Sequence, residues 1–297
     1  MSEKVLTDER IRRFRAWLVR DEKSENTIAK YVFDVEAFRA FAEGRGRGRT
    51  APDGTTDAPP RGITKADVVA YKEALIERGY ASRSINSMLA SLASFFRFAG
   101  WKGMEVRGLR VQRRAFYPEE RELSEREYKR LVEAAERRGE TRLALILQTI
   151  AGTGIRVSEL RYITAEAVRC GETTVRLKGK TRTIFLVRKL KMKLARYMKE
   201  QGIEDGPLFL ARDGSPLGRS TVWREMKRIA ETAHVAATKV FPHALRHLFA
   251  RLFYSIEKDI AKLADILGHS SIETTRIYIM TSGTEHKKRM ERLRLIL

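Results

Sequence analysis

The stretch Pro242–Tyr278, PHALRHLFARLFYSIEKDIAKLADILGHSSIETTRIY, decides how the rest of the chain is read. Pro242 suits the first position of a helix, where its missing N–H would have had no partner anyway. At about 100° per residue, His243, Arg246, His247 and Ala250 share one face, and Leu245, Leu248, Phe249 and Leu252 share the other. The pattern predicts a helix that buries one side and presents two imidazoles and a guanidinium on the opposite side. A second helical run, Asp259 to Leu267, breaks at Gly268 and delivers His269. Nine residues on stands Tyr278, beside Thr275, Arg276 and Ile277. Guanidinium, imidazole and phenol groups brought together suit chemistry on a phosphodiester.

The 297 residues suffice for two domains, each with its own core. Lys and Arg number 59 against 38 Asp and Glu, a formal net charge of +21. The excess is spread along the chain: 21 basic against 15 acidic residues up to Gln112, and 38 against 23 beyond it. Two basic parts favour a long polyanion over one small anionic ligand. Cys170 is the only cysteine, which excludes an intramolecular disulfide and predicts an intracellular setting. An apolar signal core is not seen at the N-terminus, and no run approaches the ~18 apolar residues of a membrane span. The expectation is a soluble cytoplasmic protein without membrane contact.

Along the first part, helical periodicity joins Ile11, Phe14, Trp17 and Leu18, and then Ile28, Tyr31, Val32, Val35, Phe38 and Phe41 after the capping candidates Ser24 and Asn26. Gly44–Gly62, GRGRGRTAPDGTTDAPPRG, has no apolar period and predicts a mobile loop. Thr64 and Asp67 open a third helix through Tyr71 and Leu75. A fourth runs from about Ser82 to Ala99, with Arg83 and Asn86 among its polar residues as candidate DNA contacts. Gly100–Glu120 lacks a sustained period and reads as a linker, so the domains are expected at 1–112 and 113–297. The second domain opens with a capping box, Ser124 and Glu127. The apolar run Leu143–Ile150 follows and stops at Gly152-Thr153-Gly154, with Arg156 just beyond. Glu172–Leu177 and Thr181–Val187 flank Lys178-Gly179-Lys180 as a hairpin, and helices resume at Lys189–Glu200 and near Ser220–Ala233. The fold class is mainly α with a small antiparallel sheet.

Strand cleavage without a metal requires in-line positioning and neutralisation of charge on the non-bridging phosphate oxygens. Arg156 and Arg246 are candidates, because each planar fork can donate two hydrogen bonds to phosphate. A phenol with an ordinary pKa of ~10 is a poor nucleophile, so Tyr278 needs cationic neighbours or an imidazole to accept its proton. The leaving 5′-oxygen needs a proton, which Lys178 or Lys180 on the hairpin could give; Arg182 follows as a candidate DNA contact. Tyr254 is a rival nucleophile, but eleven residues at ~1.5 Å rise place it roughly 16 Å from His243 along the helix. His243 and His247 also stand at i and i+4, as metal ligands do. HALRH lacks the Glu of H-E-x-x-H, however, and the single cysteine completes no zinc cluster, so no metal is expected.

GTGIRVSEL (Gly152–Leu160), the Lys178 hairpin, HALRH (His243–His247), LGH (Leu267–His269) and the Tyr278 segment together resemble the tyrosine recombinase/integrase family, and in particular Xer-type recombinases and integrases of mobile elements. The resemblance implies a SAM-like helical core-binding domain and a catalytic domain, closing as a C-shaped clamp on DNA. It casts Arg156 and Arg246 as phosphate-binding residues, His243 as proton acceptor, His269 as a phosphate contact, Tyr278 as the nucleophile and Lys178 as general acid, with Lys180 the alternative. Glu159 then supports the first arginine, and His247 is structural. It further implies no cofactor, paired inverted DNA core sites, a homotetramer on DNA from a free monomer or dimer, room for an accessory DNA-bending or directionality factor, and a nucleoid-associated setting. Thr284 would cap a last helix, Glu285–Leu295, with Met290, Leu293, Ile296 and Leu297 as an apolar stripe that either folds back in cis on the isolated protein or, as the resemblance implies, docks on a neighbouring protomer. The competing expectations are a type IB-like topoisomerase without strand exchange and a DNA-binding regulator without catalysis.

Overall fold

The computed structural model describes residues 4–46, 62–111, 119–177, 180–211, 213–280, 286–287 and 290–292. The chain forms two compact units, Met1–Arg113 and Arg114–Leu297.

In the first unit, α1 (Asp8–Arg20), α2 (Glu25–Gly46), α3 (Lys65–Glu77) and α4 (Ser82–Phe98) surround an aromatic core. The starts are set locally. Thr7 accepts the Arg10 N–H at the head of α1, and Thr64 and Asp67 make the reciprocal capping box of α3, at 3.4 and 2.9 Å. Phe14 meets Phe95 edge to face at 5.2 Å, and Trp101 packs on Phe95 and Phe96 at 5.5 and 5.9 Å. Asp34, buried in this core, is satisfied by the Ser91 hydroxyl at 2.6 Å and by the Lys30 ammonium.

Three expectations for this unit are corrected or limited. Helix α2 continues through Gly44 to Gly46, and the rest of the Gly/Pro-rich stretch, 47–61, lies outside the described residues. The segment after α4 is not a free linker as far as residue 111, because Trp101 and Met104 are buried in the first unit's core. Asn86, expected on DNA, has its amide occupied in that packing: Nδ2 donates to the Leu109 carbonyl at 2.8 Å and Oδ1 accepts the Leu109 N–H at 2.7 Å. Arg83 is exposed on α4.

The second unit is built around α6 (Thr141–Thr153), which buries Leu143, Leu145, Ile146, Leu147 and Ile150 and so is apolar around most of its circumference. It is flanked by α5 (Glu125–Arg137), whose capping box pairs Ser124 with Glu127 at 2.8 and 3.2 Å, and by α8 (Arg188–Gln201), α9 (Arg219–Thr232) and α10 (Pro242–Glu257). A 3-10 turn, Val157–Tyr162, and the short α7 (Ala165–Cys170) follow α6; neither is long enough to show periodicity in sequence. Strands β1 (Glu172–Leu177) and β2 (Lys180–Phe185) pair antiparallel, with Val175 opposite Arg182 and Leu177 opposite Lys180. The chain closes with α11 (Ile260–Leu267) and α12 (Ile272–Ile279). These sit on a separate small cluster in which Ala250, Leu263 and Leu267 are buried and Phe249, Phe253, Tyr254 and Tyr278 partly so. Of the expected final helix, residues 286–287 and 290–291 are helical, and Thr284, Leu293, Ile296 and Leu297 lie outside the described residues. Among the described residues no helix is long and apolar enough to cross a membrane.

Because Asn86 satisfies both backbone groups of Leu109, Asn86→Ala should lower the stability of the protein by about 1–3 kcal/mol, the usual cost of leaving such groups unpaired. Urea unfolding followed by tryptophan fluorescence measures this, and an unchanged midpoint would refute the assignment.

Candidate active site

The site is assembled where α6, the 3-10 turn, α10, α11 and α12 end or begin. Helix α6 stops because Gly154 takes the left-handed conformation at φ 66°. A Cβ there would stand 2.5 Å from Phe249 Cδ1 and 3.0 Å from Leu267 Cδ2, so both the conformation and the close packing require glycine. The turn frees the Gly154 carbonyl, which accepts Arg246 Nη1 at 2.6 Å. Two residues on, Arg156 heads the 3-10 turn. Its backbone N–H donates to Glu159 Oε2 at 2.7 Å and its Nη1 to Oε1 at 3.1 Å. Glu159 is fully buried, whereas the Arg156 side chain retains 35 % exposure and can reach a ligand.

Arg246 is the largest fully buried side chain of the protein's described residues. The helical face that bears it is therefore covered, not presented to solvent as its periodicity suggested: α11 and α12 fold over it. Arg246 Nη2 donates to the Leu267 carbonyl at 2.7 Å and contacts His269 Nε2 at 2.9 Å. Its Nε–H is buried without a partner among the described residues, a donor suited to an anion. Burial, then the charge of Arg156, lowers the Arg246 pKa to about 10, so it stays cationic at neutral pH.

His269 follows Gly268, the left-handed cap of α11, and its own N–H closes that cap on Ala264. Its Nδ1 lies 2.9 Å from the hydroxyl of the buried Thr275. A guanidinium can only donate, so Nε2 must be the accepting nitrogen, and Nδ1–H then donates to Thr275. Burial, followed by Arg246, Arg156 and Arg182, lowers the His269 pKa to about 3. His247 is lowered to about 4, chiefly by burial, against a hydrogen bond to the Tyr278 backbone. His243 is lowered as well, by burial and then by Arg219, Arg246 and Arg156. All three imidazoles are held neutral at pH 7.

These groups surround Tyr278. His247 stacks on the phenol ring at 4.3 Å and 15°, His269 tilts against it at 5.0 Å, and the Arg246 guanidinium carbon lies 5.7 Å from the ring centroid. His247, expected to be structural, is thus in direct contact with the tyrosine. Tyr254 packs in the small apolar cluster, with Lys258 over its ring at 5.7 Å.

One expectation meets a different outcome. Arg182, expected on DNA, is only 9 % exposed; its guanidinium is tied to Glu159 and to the Ile266 carbonyl. Lys178 lies outside the described residues, and Lys180 is described only as the first residue of β2. Thr275 and Arg219 were not singled out in the sequence. The position of Thr275, six residues past His269 on a capped helix, was its only signal, and Arg219 had none.

Arg246, His247 and His269 gather at the Tyr278 ring, and Arg156 joins the same polar network through Glu159, a set of groups suited to chemistry on a phosphodiester. The Phage integrase family matches residues 121–284, and its N-terminal SAM-like domain matches 11–103. The chain is 31 % identical to a tyrosine recombinase XerA of Pyrococcus furiosus, over 100 % of this chain and 98 % of that one. It is 28 % identical to a tyrosine recombinase XerD of Pseudomonas aeruginosa, over 86 % of each. In fold it is similar to a lambda integrase in a tetramer bound to a Holliday junction, with a TM-score of 0.69 and 21 % identity over 93 % of this chain and 78 % of that one. The chain belongs to the phage integrase family of tyrosine recombinases, and it is a site-specific DNA recombinase.

The depressed histidines have a consequence for stability. Below the ordinary histidine pKa of 6.5 the unfolded chain takes up protons that folded His247 and His269 refuse until about pH 4 and about pH 3. Their contribution is therefore complete above pH 6.5 and is lost progressively as pH falls. Melting temperatures from pH 7 to pH 4 should drop, and His269→Gln should reduce the steepness by about one proton. A slope unchanged in the variant would mean that His269 is already protonated in the fold.

Proposed function

We propose that Tyr278 attacks a DNA phosphodiester to give a 3′-phosphotyrosyl link, and that strands are exchanged between two sites through a Holliday junction. The observation that carries this reading is the enclosure of the Tyr278 ring by His247, His269 and Arg246, with Arg156 joined to the same polar network through Glu159. Arg156 and Arg246 bind the non-bridging oxygens and neutralise the charge that develops in the transition state. Tyr278 Oη forms the new bond to phosphorus as the bond to the 5′-oxygen breaks. His243, kept neutral by burial and its cationic neighbours, accepts the phenol proton. Lys178 or Lys180 supplies a proton to the leaving 5′-oxygen. Once Arg246 has turned its donors towards the phosphate, His269 contacts it as the other tautomer, donating from Nε2–H while Nδ1 accepts the Thr275 hydroxyl. The phosphotyrosyl ester retains the energy of the broken bond, so rejoining requires no ATP or other cofactor.

Both basic units engage the same duplex, with Arg83 of α4 a contact from the first unit. The active assembly is a homotetramer on paired sites, each with two inverted arms around a short spacer. The tetramer and the junction rest on the similarity to the lambda integrase complex. The relatives are named as recombinases, which weighs against a relaxing topoisomerase or a non-catalytic regulator.

The test uses a nicked suicide duplex built on the core sequence that the protein selects from random DNA. The unsubstituted protein should accumulate a covalent adduct. Tyr278→Phe should form none while binding within roughly threefold of the parent, since phosphate contacts dominate affinity. An adduct trapped by the Phe variant would end the assignment of the nucleophile, and relaxation of plasmids lacking the site at catalytic protein levels would end the exchange reading.

A further inference from the structure

Arg182 is a buried cation whose bonding the mechanism above does not use. It lies on β2 opposite Val175, on the strand face that also carries the buried Ile184. From there its guanidinium reaches two different parts of the site. Nη2 donates to Glu159 Oε2, the oxygen that also accepts the Arg156 backbone N–H. Nη1 donates to the carbonyl of Ile266, three residues before His269. The contact is close along the side chain as well: a Cβ on Gly268 would stand 2.8 Å from Arg182 Cδ. One planar fork thus joins the hairpin, the support of Arg156 and the turn that delivers His269.

Charge gives the arrangement a second purpose. Glu159 by itself would cancel the charge of Arg156 as well as orient it. With Arg182 on its other oxygen, the Arg156–Glu159–Arg182 group keeps a net positive charge, and Glu159 can hold Arg156 without neutralising it towards a phosphate. A lysine could not repeat this geometry, since a point ammonium lacks the rigid fork that spans a carboxylate and a carbonyl.

We propose that Arg182 is a positioning residue for strand cleavage, acting through Glu159 on Arg156 and through the Ile266 carbonyl on the His269 turn. It does not touch DNA. This rests on the cleavage reaction assigned above to Tyr278.

The experiment measures single-turnover adduct formation on the suicide duplex, with melting temperature and DNA binding recorded for every variant. Arg182→Met should slow cleavage about 100-fold, the scale of a roughly 1 Å misplacement of reacting groups, with DNA binding within about threefold. Arg182→Lys should recover part of this, to about tenfold below the parent, because it restores charge but not the fork. Glu159→Gln combined with Arg182→Met should be about as slow as the slower single variant, since the two act as one unit. A duplex with sulfur at the 5′-bridging position, whose thiol leaving group needs little protonation, should leave the Arg182→Met defect in place. Independent, multiplying defects in the double variant, full rescue by the bridging sulfur, or cleavage by Arg182→Met within threefold of the parent would each overturn the proposal. If Arg182→Met melts below the assay temperature, Arg182→Lys and its cycle with Glu159→Gln carry the same test. Absence of any Tyr278-dependent adduct in the unsubstituted protein would overturn both readings; an adduct formed equally well without Arg182 overturns this one alone.

Discussion

The interaction on which the rest of the site depends is the burial of Arg246 among acceptors that are mostly not carboxylates. A guanidinium at zero exposure carries a large desolvation cost unless its donors are met. Here Nη1 and Nη2 are met by two carbonyls at helix ends, Gly154 and Leu267, and by an imidazole, and Nε–H alone stays without a partner among the described residues. Each acceptor imposes its own constraint. The first requires a left-handed residue without a side chain at 154, the second requires α11 to finish at Gly268, and the third requires His269 in one tautomer. Thr275 sets that tautomer from the next helix. Three helix termini distant in sequence are thus brought together by one side chain.

The same choice of acceptors governs protonation. A carboxylate partner would have pinned Arg246 but competed with phosphate for it. Carbonyls and a neutral imidazole hold it without a counter-charge, and burial, with the field of Arg246 added to it, lowers the pKa of His269 and, together with Arg219, that of His243. Glu159 is, among the described residues, the one carboxylate bonded within this network, and it carries two guanidinium groups instead of one. The site therefore keeps a net positive charge.

Much of this was legible in the residue pattern, and what was not had a physical reason. Periodicity placed α1 to α6 and α8 to α11 because each has an apolar stripe long enough to register, whereas the 3-10 turn at Val157–Tyr162 and the six-residue α7 are too short to show one. The glycine turn before Arg156 and the His243/Arg246/His247 spacing were local features, and they located the site. Periodicity says which residues share a face but not what covers it, so Arg246 was expected near solvent. The packing role of Asn86 was hidden for a related reason: its partner Leu109 is 23 residues away, and no local pattern announces that contact. Arg182 had a readable signal. Two residues before Ile184 in a strand, it belongs to the inward face, and an arginine there must find buried acceptors.

Tyr278 is held differently from Arg156 and Arg246, which the proposed mechanism assigns to the phosphate. Arg156, Glu159 and Arg246 are rooted in elements of the large core around α6. Tyr278 stands on α12, an eight-residue helix with Thr275 its only buried residue, resting on a cluster whose buried members are Ala250, Leu263 and Leu267. Little apolar area anchors that helix, so its local stability is low. What keeps the phenol in place is contact with the site itself: the His247 stack, the His269 edge and the Arg246 face. In the proposed mechanism two of them, Arg246 and His269, also meet the phosphate. A ligand that draws on Arg246 and His269 therefore alters the hold on Tyr278 at the same moment, and binding of the scissile phosphate and placement of the tyrosine become one equilibrium.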